Sequence, residues 1–217
     1  MMEEGKETAT KGMAGFEQLA VARRSVRRFS DAAVPDEVVR SALRSAHLAP
    51  SSNNLQPWEF HWVRRSSSHR EAAVTACLSQ PAAATSSDLV FFIGRPDLLK
   101  DRAAALQAHF EAEGNDGTAG YYRDQVAANI AGMSAEARAA WVDKSVALAA
   151  AQFMLAIKAS GFDSCPMEGL VPDKVRALFG LPKEATVTMA VSVGEGIPEG
   201  IYGPRLRFPL DEHLTEY

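Results

Sequence analysis

The sequence predicts one domain of mixed α and β structure in which helices outweigh strands. Two patterns predict this class: stretches whose apolar residues recur with the helical period, and shorter stretches that alternate or are apolar throughout. The composition is that of an ordinary globular protein, with 47% hydrophobic and 23% charged residues among 217. Disorder and disulfide scaffolds are therefore excluded. We find no internal repeat and no long linker that would separate two domains.

The first predicted element is an amphipathic helix at residues 36–47. Its apolar side chains from Val38 to Ala46 fall on one stripe. Pro35 and two acidic residues stand at its entry, where a helix N-terminus favours them.

Three strands are predicted, and they imply a central sheet. After Pro57, aromatic residues occupy every second position at 58–62, which is typical of a half-buried strand. Residues 88–93 form a continuous apolar run closed by Gly94, as expected of a strand covered on both faces. Residues 186–193 alternate valine and methionine with smaller residues, which is the clearest strand pattern in the chain.

Two later helices complete the predicted elements. A long segment runs from Ser134 to Gly161 and is apolar nearly all round in its second half, so we expect it in the middle of the protein or in a dimer interface. Residues 172–179 begin with proline and are followed by Gly180, which indicates a short helix.

The N-terminal residues, the length of the longest apolar run and the two cysteines predict a cytoplasmic protein. Residues 1–14 are expected to be a flexible tail before a domain at 15–217, and they lack the apolar segment of a signal peptide. The longest nearly apolar run, 147–157, is shorter than the roughly 20 residues that a membrane span needs. Cys77 and Cys165 stand in unrelated contexts and are expected to be reduced thiols.

Several kinds of site lack support. The glycines from Gly194 to Gly200 follow a strand, but the third is one residue late for a dinucleotide loop and Pro198 opposes the helix it requires. P-loop, zincin and nucleophile-elbow patterns do not occur. The five histidines lie far apart, so we expect no metal site, and a net charge of −4 argues against a general polyanion binder.

Four segments remain as carriers of chemistry. Residues 23–29 read RRSVRRF, residues 50–58 read PSSNNLQPW, residues 165–169 read CPMEG, and residues 204–209 read PRLRFP. Each is weak alone, because a basic patch can be merely solvated and a polar turn can merely cap itself.

In this order and at these spacings, the four segments resemble the FMN-dependent nitroreductase family from about residue 16 to the end. The resemblance implies an α+β fold with three α/β/α layers, a central mixed and mostly antiparallel sheet, and an intertwined homodimer. It also implies an FMN oxidoreductase. Such an enzyme passes hydride from NADH or NADPH through flavin N5 to a nitroaromatic, quinone or flavin, in ping-pong half-reactions.

The resemblance assigns the basic residues to the cofactor. Planar guanidinium groups suit a phosphate dianion because they bind it bidentately. The positions that match the phosphate site are Arg23, Ser25, Arg205 and Arg207, with Arg24 beside them among the cofactor-binding residues. Arg27 matches a cation that faces N1 and O2 of the ring, where negative charge gathers on reduction.

The resemblance also assigns the two faces of the ring. In the turn of the second subunit, Ser51, Ser52 and Asn54 would contact the flavin across the dimer interface, and Pro50, also among the cofactor-binding residues, would shape the turn. Pro166 and Met167 would pack on the covered face, and a main-chain N–H of Glu168 or Gly169 would lie near N5. Glu168 could instead act as a general acid, although the backbone role is favoured.

Two stretches depart from the family or vary within it. Many relatives carry asparagine and lysine at the ring edge, where this chain has LSQPA at 78–82. Ser79 or Gln80 is expected to replace the asparagine, and the lysine has no counterpart. Residues 109–133 correspond to a variable helical excursion over the open flavin face, which sets the choice of substrate.

Two alternatives stay open. A specialised relative would use the same site for dehalogenation, enone reduction, flavin fragmentation or substrate oxidation. A nucleic-acid binder without enzymatic activity would use the arginines at 23, 24, 27, 28, 64, 65 and 70, but the net charge and the lack of interleaved aromatic residues disfavour it.

Overall fold

The computed structural model describes residues 15–217, and the predicted tail at 1–14 lies outside the described residues. Helix α1 covers residues 15–22 of the described chain. The elements that follow are α2 (Asp36–His47), β1 (Trp58–Arg64), α3 (Arg70–Ala76), α4 (Pro81–Thr85), β2 (Asp88–Gly94), α5 (Leu99–Ala112), α6 (Asp116–Tyr121), a π-helical turn (Tyr122–Val126), α7 (Ala127–Gly132), α8 (Ala135–Ala159), β3 (Asp163–Met167), α9 (Pro172–Phe179) and β4 (Thr186–Gly194).

The four strands form one sheet in the order β1-β2-β4-β3, and every neighbouring pair is antiparallel. The parallel contact in the described chain is an isolated bridge between Ser25 and Ser164, outside the strand pairs. The predicted α+β class and mostly antiparallel sheet are therefore confirmed.

The sheet separates two hydrophobic cores. Val90 and Phe92 of β2 face the first core, where Phe92 packs edge-on against Phe153 of α8 with ring centroids 5.4 Å apart. Leu89 and Phe91 point to the opposite face and join the second core, beside α3 and α9. Successive strand side chains point to opposite faces, so β2 is fully buried and the predicted three layers are confirmed.

The long helix α8 begins and ends as the sequence predicts. The Ser134 side chain accepts a hydrogen bond from the Ala137 N–H at 3.1 Å and so caps the first turn. Gly161 has φ +87° just past the end, and its N–H donates to the Lys158 carbonyl at 3.0 Å. A residue there must adopt a left-handed conformation, which glycine does at least cost.

One helix in the described range, α8, has the length and composition to cross a membrane. The apolar run at 147–157 is by itself shorter than a membrane span, but the helix that contains it has 25 residues. Its side chains at Val146, Ala149, Phe153 and Ile157 are completely buried in the first core. The helix is thus a core element of this fold.

The other predicted helices and strands, α2, α9, β1, β2 and β4, are confirmed within one residue or two. The sequence patterns did not predict α1, α3, α4, α5 and β3. Of these, β3 bears on the site because it contains Cys165, Pro166 and Met167.

Candidate functional site

The arginine-rich segment at 23–29 lies extended beside the start of β3. The Val26 N–H donates to the Ser164 carbonyl at 3.1 Å. Val26 and Phe29 are 1% and 5% exposed and anchor the segment in the second core. Arg27 is half-buried and Arg28 is exposed, so apolar anchors alternate with basic groups that remain accessible.

Glycines at the end of β4 and just beyond it let a second stretch of chain approach the arginine-rich segment closely. A Cβ atom on Gly200 would lie 2.5 Å from the Arg28 carbonyl oxygen, and one on Gly194 would lie 2.7 Å from the Phe29 ring. Contacts this short leave no room for a side chain. The Arg27 N–H donates to the Gly200 carbonyl at 2.8 Å. These glycines therefore allow close packing of the main chain.

The chain then returns past the arginine-rich segment, and the two together enclose a cavity of about 180 Å³, here named the arginine cavity. Its lining contains six of the residues predicted to bind the cofactor: Arg23, Arg24, Ser25, Arg27, Arg205 and Arg207. It also contains Tyr202, which no sequence pattern indicated, and Pro204 and Leu206, which belong to the PRLRFP segment but had no assigned role. Their nearness to Arg205 was the only sequence signal that could have found them.

Arginine side chains hold the two ends of the chain together at this cavity. One Nη atom of Arg205 donates to the Val21 carbonyl at 2.7 Å and also to the Arg23 carbonyl. Arg24 donates to the Gly203 carbonyl at 2.9 Å. The Arg27 guanidinium carbon lies 5.0 Å from the centre of the Tyr202 ring, within the range of a cation–π contact.

Positive charge is concentrated here without a balancing carboxylate in the described lining. Burial lowers the pKa of Arg23, and the charges of Arg205 and Arg207 lower it further. Burial raises the pKa of the adjacent Cys165 thiol, against the opposing pull of Arg27 and Arg23. A group of like charges around one small cavity is a favourable site for an anion, because a bound anion relieves their mutual repulsion.

The segment after β3 exposes main-chain donors. Met167 is buried and Pro166 is half-buried, whereas Glu168 and Gly169 are exposed. The Leu170 N–H folds back onto the Glu168 carbonyl at 2.9 Å. In the described chain, the N–H groups of Glu168 and Gly169 make no hydrogen bond, so both remain available to a ligand.

The two residues expected at the ring edge differ in their surroundings. The Gln80 side-chain amide donates to the Cys77 carbonyl at 3.1 Å and to the Gly169 carbonyl at 2.5 Å. Ser79 lines a separate cavity of about 650 Å³ beside Arg65. Gln80 thus meets the Glu168–Gly169 segment, but contact of either residue with the cofactor stays a prediction.

The polar turn at 50–56 is held in an unusual conformation. Asn53, Asn54 and Gln56 all have φ near +50°. The Gln56 N–H donates to the Ser51 hydroxyl at 3.0 Å, and the Tyr122 hydroxyl donates to the Asn53 carbonyl at 2.8 Å. Strained backbone persists only where surrounding contacts hold it, and it often marks functional sites.

This turn does not join the arginine cavity in the described protomer. Pro50, Ser51, Ser52 and Asn54 are absent from the cavity lining. Tyr121 and Tyr122, from the predicted excursion, instead contact the turn through Asn53.

A nucleic-acid binder would need these arginines to form one basic patch, but several of them bind other groups of the protein. Arg64 forms an ion pair with Asp36 at 2.6 Å and Arg65 pairs with Asp31 at 3.3 Å. Arg70 donates to the Ala83 carbonyl at 2.7 Å. These three arginines are engaged away from the arginine cavity.

Comparison with known proteins agrees with this arrangement. The sequence model of the nitroreductase family matches residues 20–195. A protein of Thermus thermophilus named NADH dehydrogenase is 32% identical over 196 residues, which is 88% of this chain and 91% of that protein. The oxygen-insensitive NAD(P)H nitroreductase of Salmonella typhimurium is 27% identical over 77% of this chain and 83% of its own length.

A solved nitroreductase-type structure from Exiguobacterium sibiricum, in complex with FMN, is 25% identical and superposes with a TM-score of 0.79. The match covers 93% of this chain and 97% of that structure. The fold and the family match define an oxidoreductase. The chain belongs to the nitroreductase family.

Proposed function

We propose that this protein is an FMN-dependent oxidoreductase that takes hydride from NADH or NADPH and passes it to an electron-poor acceptor. The observation that carries the proposal is the arginine cavity, in which five guanidinium groups, each half-buried or exposed, meet without a carboxylate in the described lining. Two comparisons support the proposal. The solved structure from Exiguobacterium sibiricum contains FMN, and the names of both relatives include NADH or NAD(P)H.

Arg23, Arg205 and Arg207 bind the phosphate group, and the Ser25 hydroxyl donates to it. The fit rests on charge and donor type, because guanidinium groups stay charged and present paired N–H donors to phosphate oxygens. Burial and neighbouring positive charge lower the pKa of Arg23, and a bound dianion would offset that repulsion. Arg24, tied to Gly203, supports the wall of the cavity.

Arg27 holds its charge toward the flavin ring. It lies over Tyr202, and its Nη1 donates to the Ser25 carbonyl at 3.2 Å, so its position is fixed before any ligand binds. A fixed cation stabilises negative charge that develops on a ring during reduction. Arg27 therefore favours the reduced form of the cofactor.

β3 connects the phosphate end of the site with the hydride-transfer end. Its three steps from Ser164 to Met167 span about 10 Å, and beyond them the N–H groups of Glu168 and Gly169 point to no protein acceptor in the described chain. These donors orient the ring near N5 without a side-chain acid. When bound, FMN itself supplies the capacity to accept and release hydride.

A second copy of the chain completes each site. Pro50, Ser51, Ser52 and Asn54 are expected to contact the partner's flavin, since they do not line the arginine cavity of their own protomer. The C-terminal segment after Gly200 exposes Leu206, Phe208 and Leu210 by 66–73%, a large apolar surface that a partner would cover.

Mixing two defective variants tests the shared site. Arg23→Gln weakens the phosphate site, and Ser52→Glu puts a charge on the exposed turn, so each homodimer has two damaged sites. After subunit exchange, half of the dimers are mixed and carry one intact site, which restores about a quarter of wild-type activity. No recovery from a mixture shown to contain mixed dimers would refute the shared site.

The reaction has two half-reactions at one open face of the ring. The nucleotide and the acceptor occupy that face in turn, so steady-state rates should give parallel double-reciprocal lines with NADH and a quinone or nitroaromatic. Converging lines would contradict the proposal. If the FMN-loaded protein reduces no nitro compound, quinone or flavin, the reaction is that of a specialised relative.

A further inference from the structure

We infer that Gln80 is a positioning residue that holds the Glu168–Gly169 peptide in place for the cofactor. This inference rests on the proposed function, and it assigns Gln80 an action through the main chain of Gly169. The observation that carries it is the bond from the Gln80 side-chain amide to the Gly169 carbonyl at 2.5 Å, between residues 89 positions apart in the sequence.

The bond from Gln80 acts on the Glu168–Gly169 peptide through the peptide that follows it, Gly169–Leu170. The carbonyl of Gly169 accepts from Gln80, and the carbonyl of Glu168 accepts from the Leu170 N–H. Both carbonyls are thereby occupied, whereas both N–H groups lack a partner in the described chain. The Gly169 carbonyl and the Leu170 N–H belong to one planar peptide, so the bond from Gln80 orients the Leu170 N–H, which in turn holds the Glu168 carbonyl. That carbonyl is coplanar with the Gly169 N–H, so the chain of contacts fixes the direction of this free donor.

The backbone around Gln80 is shaped for this contact. Leu78 has φ +55° and Ser79 has φ +51°, and both conformations are costly for residues with a side chain. The Leu78 N–H donates to the Thr75 carbonyl at 3.1 Å, and the Ser79 N–H donates to the Val74 carbonyl at 3.0 Å. α3 thus ends in a tight reversal that turns Gln80 back towards β3.

Gly169 is shaped for the same contact. A Cβ atom at this position would lie 3.2 Å from Nε2 of Gln80. A side chain there would therefore press on the amide that binds the carbonyl. A second bond, from the Val171 N–H to the Ala76 carbonyl at 2.8 Å, ties the same loop to α3.

Gln80→Glu is the sharpest test, because it keeps the shape and removes the donor. The carboxylate that it introduces would face the carbonyl oxygens of Cys77 and Gly169 and push the loop away. We expect two results: faster amide hydrogen exchange at Leu170 and Val171 in the protein without FMN, and about fivefold weaker FMN binding from one lost hydrogen bond.

A pH series separates positioning from general damage. Once protonated, the carboxyl group introduced by Gln80→Glu can again donate a hydrogen bond to the Gly169 carbonyl. The FMN affinity of this variant relative to wild type should therefore recover as pH falls from about 7 towards about 5. Gln152→Glu is the matched control, since Gln152 also donates to a main-chain carbonyl, that of Ser45, at 2.7 Å. It should change the stability of the protein but neither the exchange at Leu170 nor the pH dependence of FMN binding.

The outcomes distinguish this inference from the proposed function. If wild-type protein binds FMN and Gln80→Glu binds it equally well with unchanged exchange at Leu170, Gln80 does not position the peptide. Faster exchange without any change in FMN affinity also overturns the inference. If wild-type protein binds no FMN at all, the proposed function fails as well.

Discussion

Replacing Arg23 by glutamine should weaken FMN binding without weakening the protein itself. Arg23 lines the arginine cavity, and its pKa is lowered by burial and by the charges of Arg205 and Arg207. A hydrogen bond to a charged group contributes about 1.5–3 kcal/mol. Its loss should raise the dissociation constant of FMN by about 10- to 150-fold.

The stability of the cofactor-free protein should respond differently. Glutamine removes a charge that its neighbours repel, so the free energy of unfolding should change by no more than about 0.5 kcal/mol, or rise. In wild type, FMN at 100 times its dissociation constant should add about 2.7 kcal/mol. At the same concentration the variant should gain at most about 1.4 kcal/mol.

Titration of FMN fluorescence and thermal unfolding with and without FMN measure these quantities. Arg102→Gln serves as the control because Arg102 is an exposed arginine on α5, outside the cavity lining. Wild-type FMN affinity in Arg23→Gln would refute the reasoning. So would a loss of cofactor-free stability as large as the loss of binding free energy.

Three further predictions concern the free energy of unfolding: two follow from backbone conformation and packing, and one from the pH dependence of a buried thiol. Leu78→Gly should raise the free energy of unfolding by about 0.5–1 kcal/mol, since Leu78 is 59% exposed at φ +55°; a lower melting temperature would contradict this. Gly200→Ala should cost about 1–3 kcal/mol by pressing on the Arg28 backbone, whereas Gly132→Ala, with open space at its Cβ, should be nearly neutral. Equal melting temperatures for the two variants would be the contrary result. Burial raises the pKa of the Cys77 thiol to about 11. The folded protein then holds this proton more tightly than the unfolded chain, so the contribution of Cys77 to stability is complete below about pH 8.5 and is lost towards pH 11. The free energy of unfolding should be measured against pH in wild type and in Cys77→Ala. If the loss of stability at high pH disappears in the variant, the Cys77 thiol causes it; if the loss remains, Cys77 is not the cause.

The elements predicted from the sequence are those with a long or regular pattern. β2 and β4 carry continuous or alternating apolar residues, and α8 has a serine cap and a terminal glycine that fit its observed ends. β3 escaped prediction because it has five residues and contains Pro166. Proline is tolerated on an edge strand, and the position of β3 at the edge appears only once the strand order is known.

The short helices α3 and α4 escaped for a related reason. They have seven and five residues, which is too few to display a helical apolar period. They are stabilised as helices by burial of Ala73, Ala76, Ala82 and Ala83 in the second core. Local propensity does not reveal burial that depends on distant parts of the chain.

The candidate site was predicted through a resemblance and could not have come from spacing alone. Arg23 and Arg205 are 182 positions apart, and they meet because the Arg205 side chain donates to the Arg23 carbonyl. Gly194 and Gly200 bring the same two stretches of chain together by allowing close contact with Phe29 and Arg28. Tyr202 was missed because its role depends on the ring lying under Arg27. Only the folded chain showed that Gln80 binds the Gly169 carbonyl.

Anaerobic reduction of the purified protein tests the central claim most directly. The FMN-loaded protein should show the absorption bands of oxidised flavin, and one equivalent of NADH or NADPH should bleach them, with the bands restored by a quinone or a nitroaromatic. Comparison of the two nucleotides would also identify the preferred donor. A protein that remains colourless with excess FMN, or whose bound flavin stays oxidised with both nucleotides, would contradict the account.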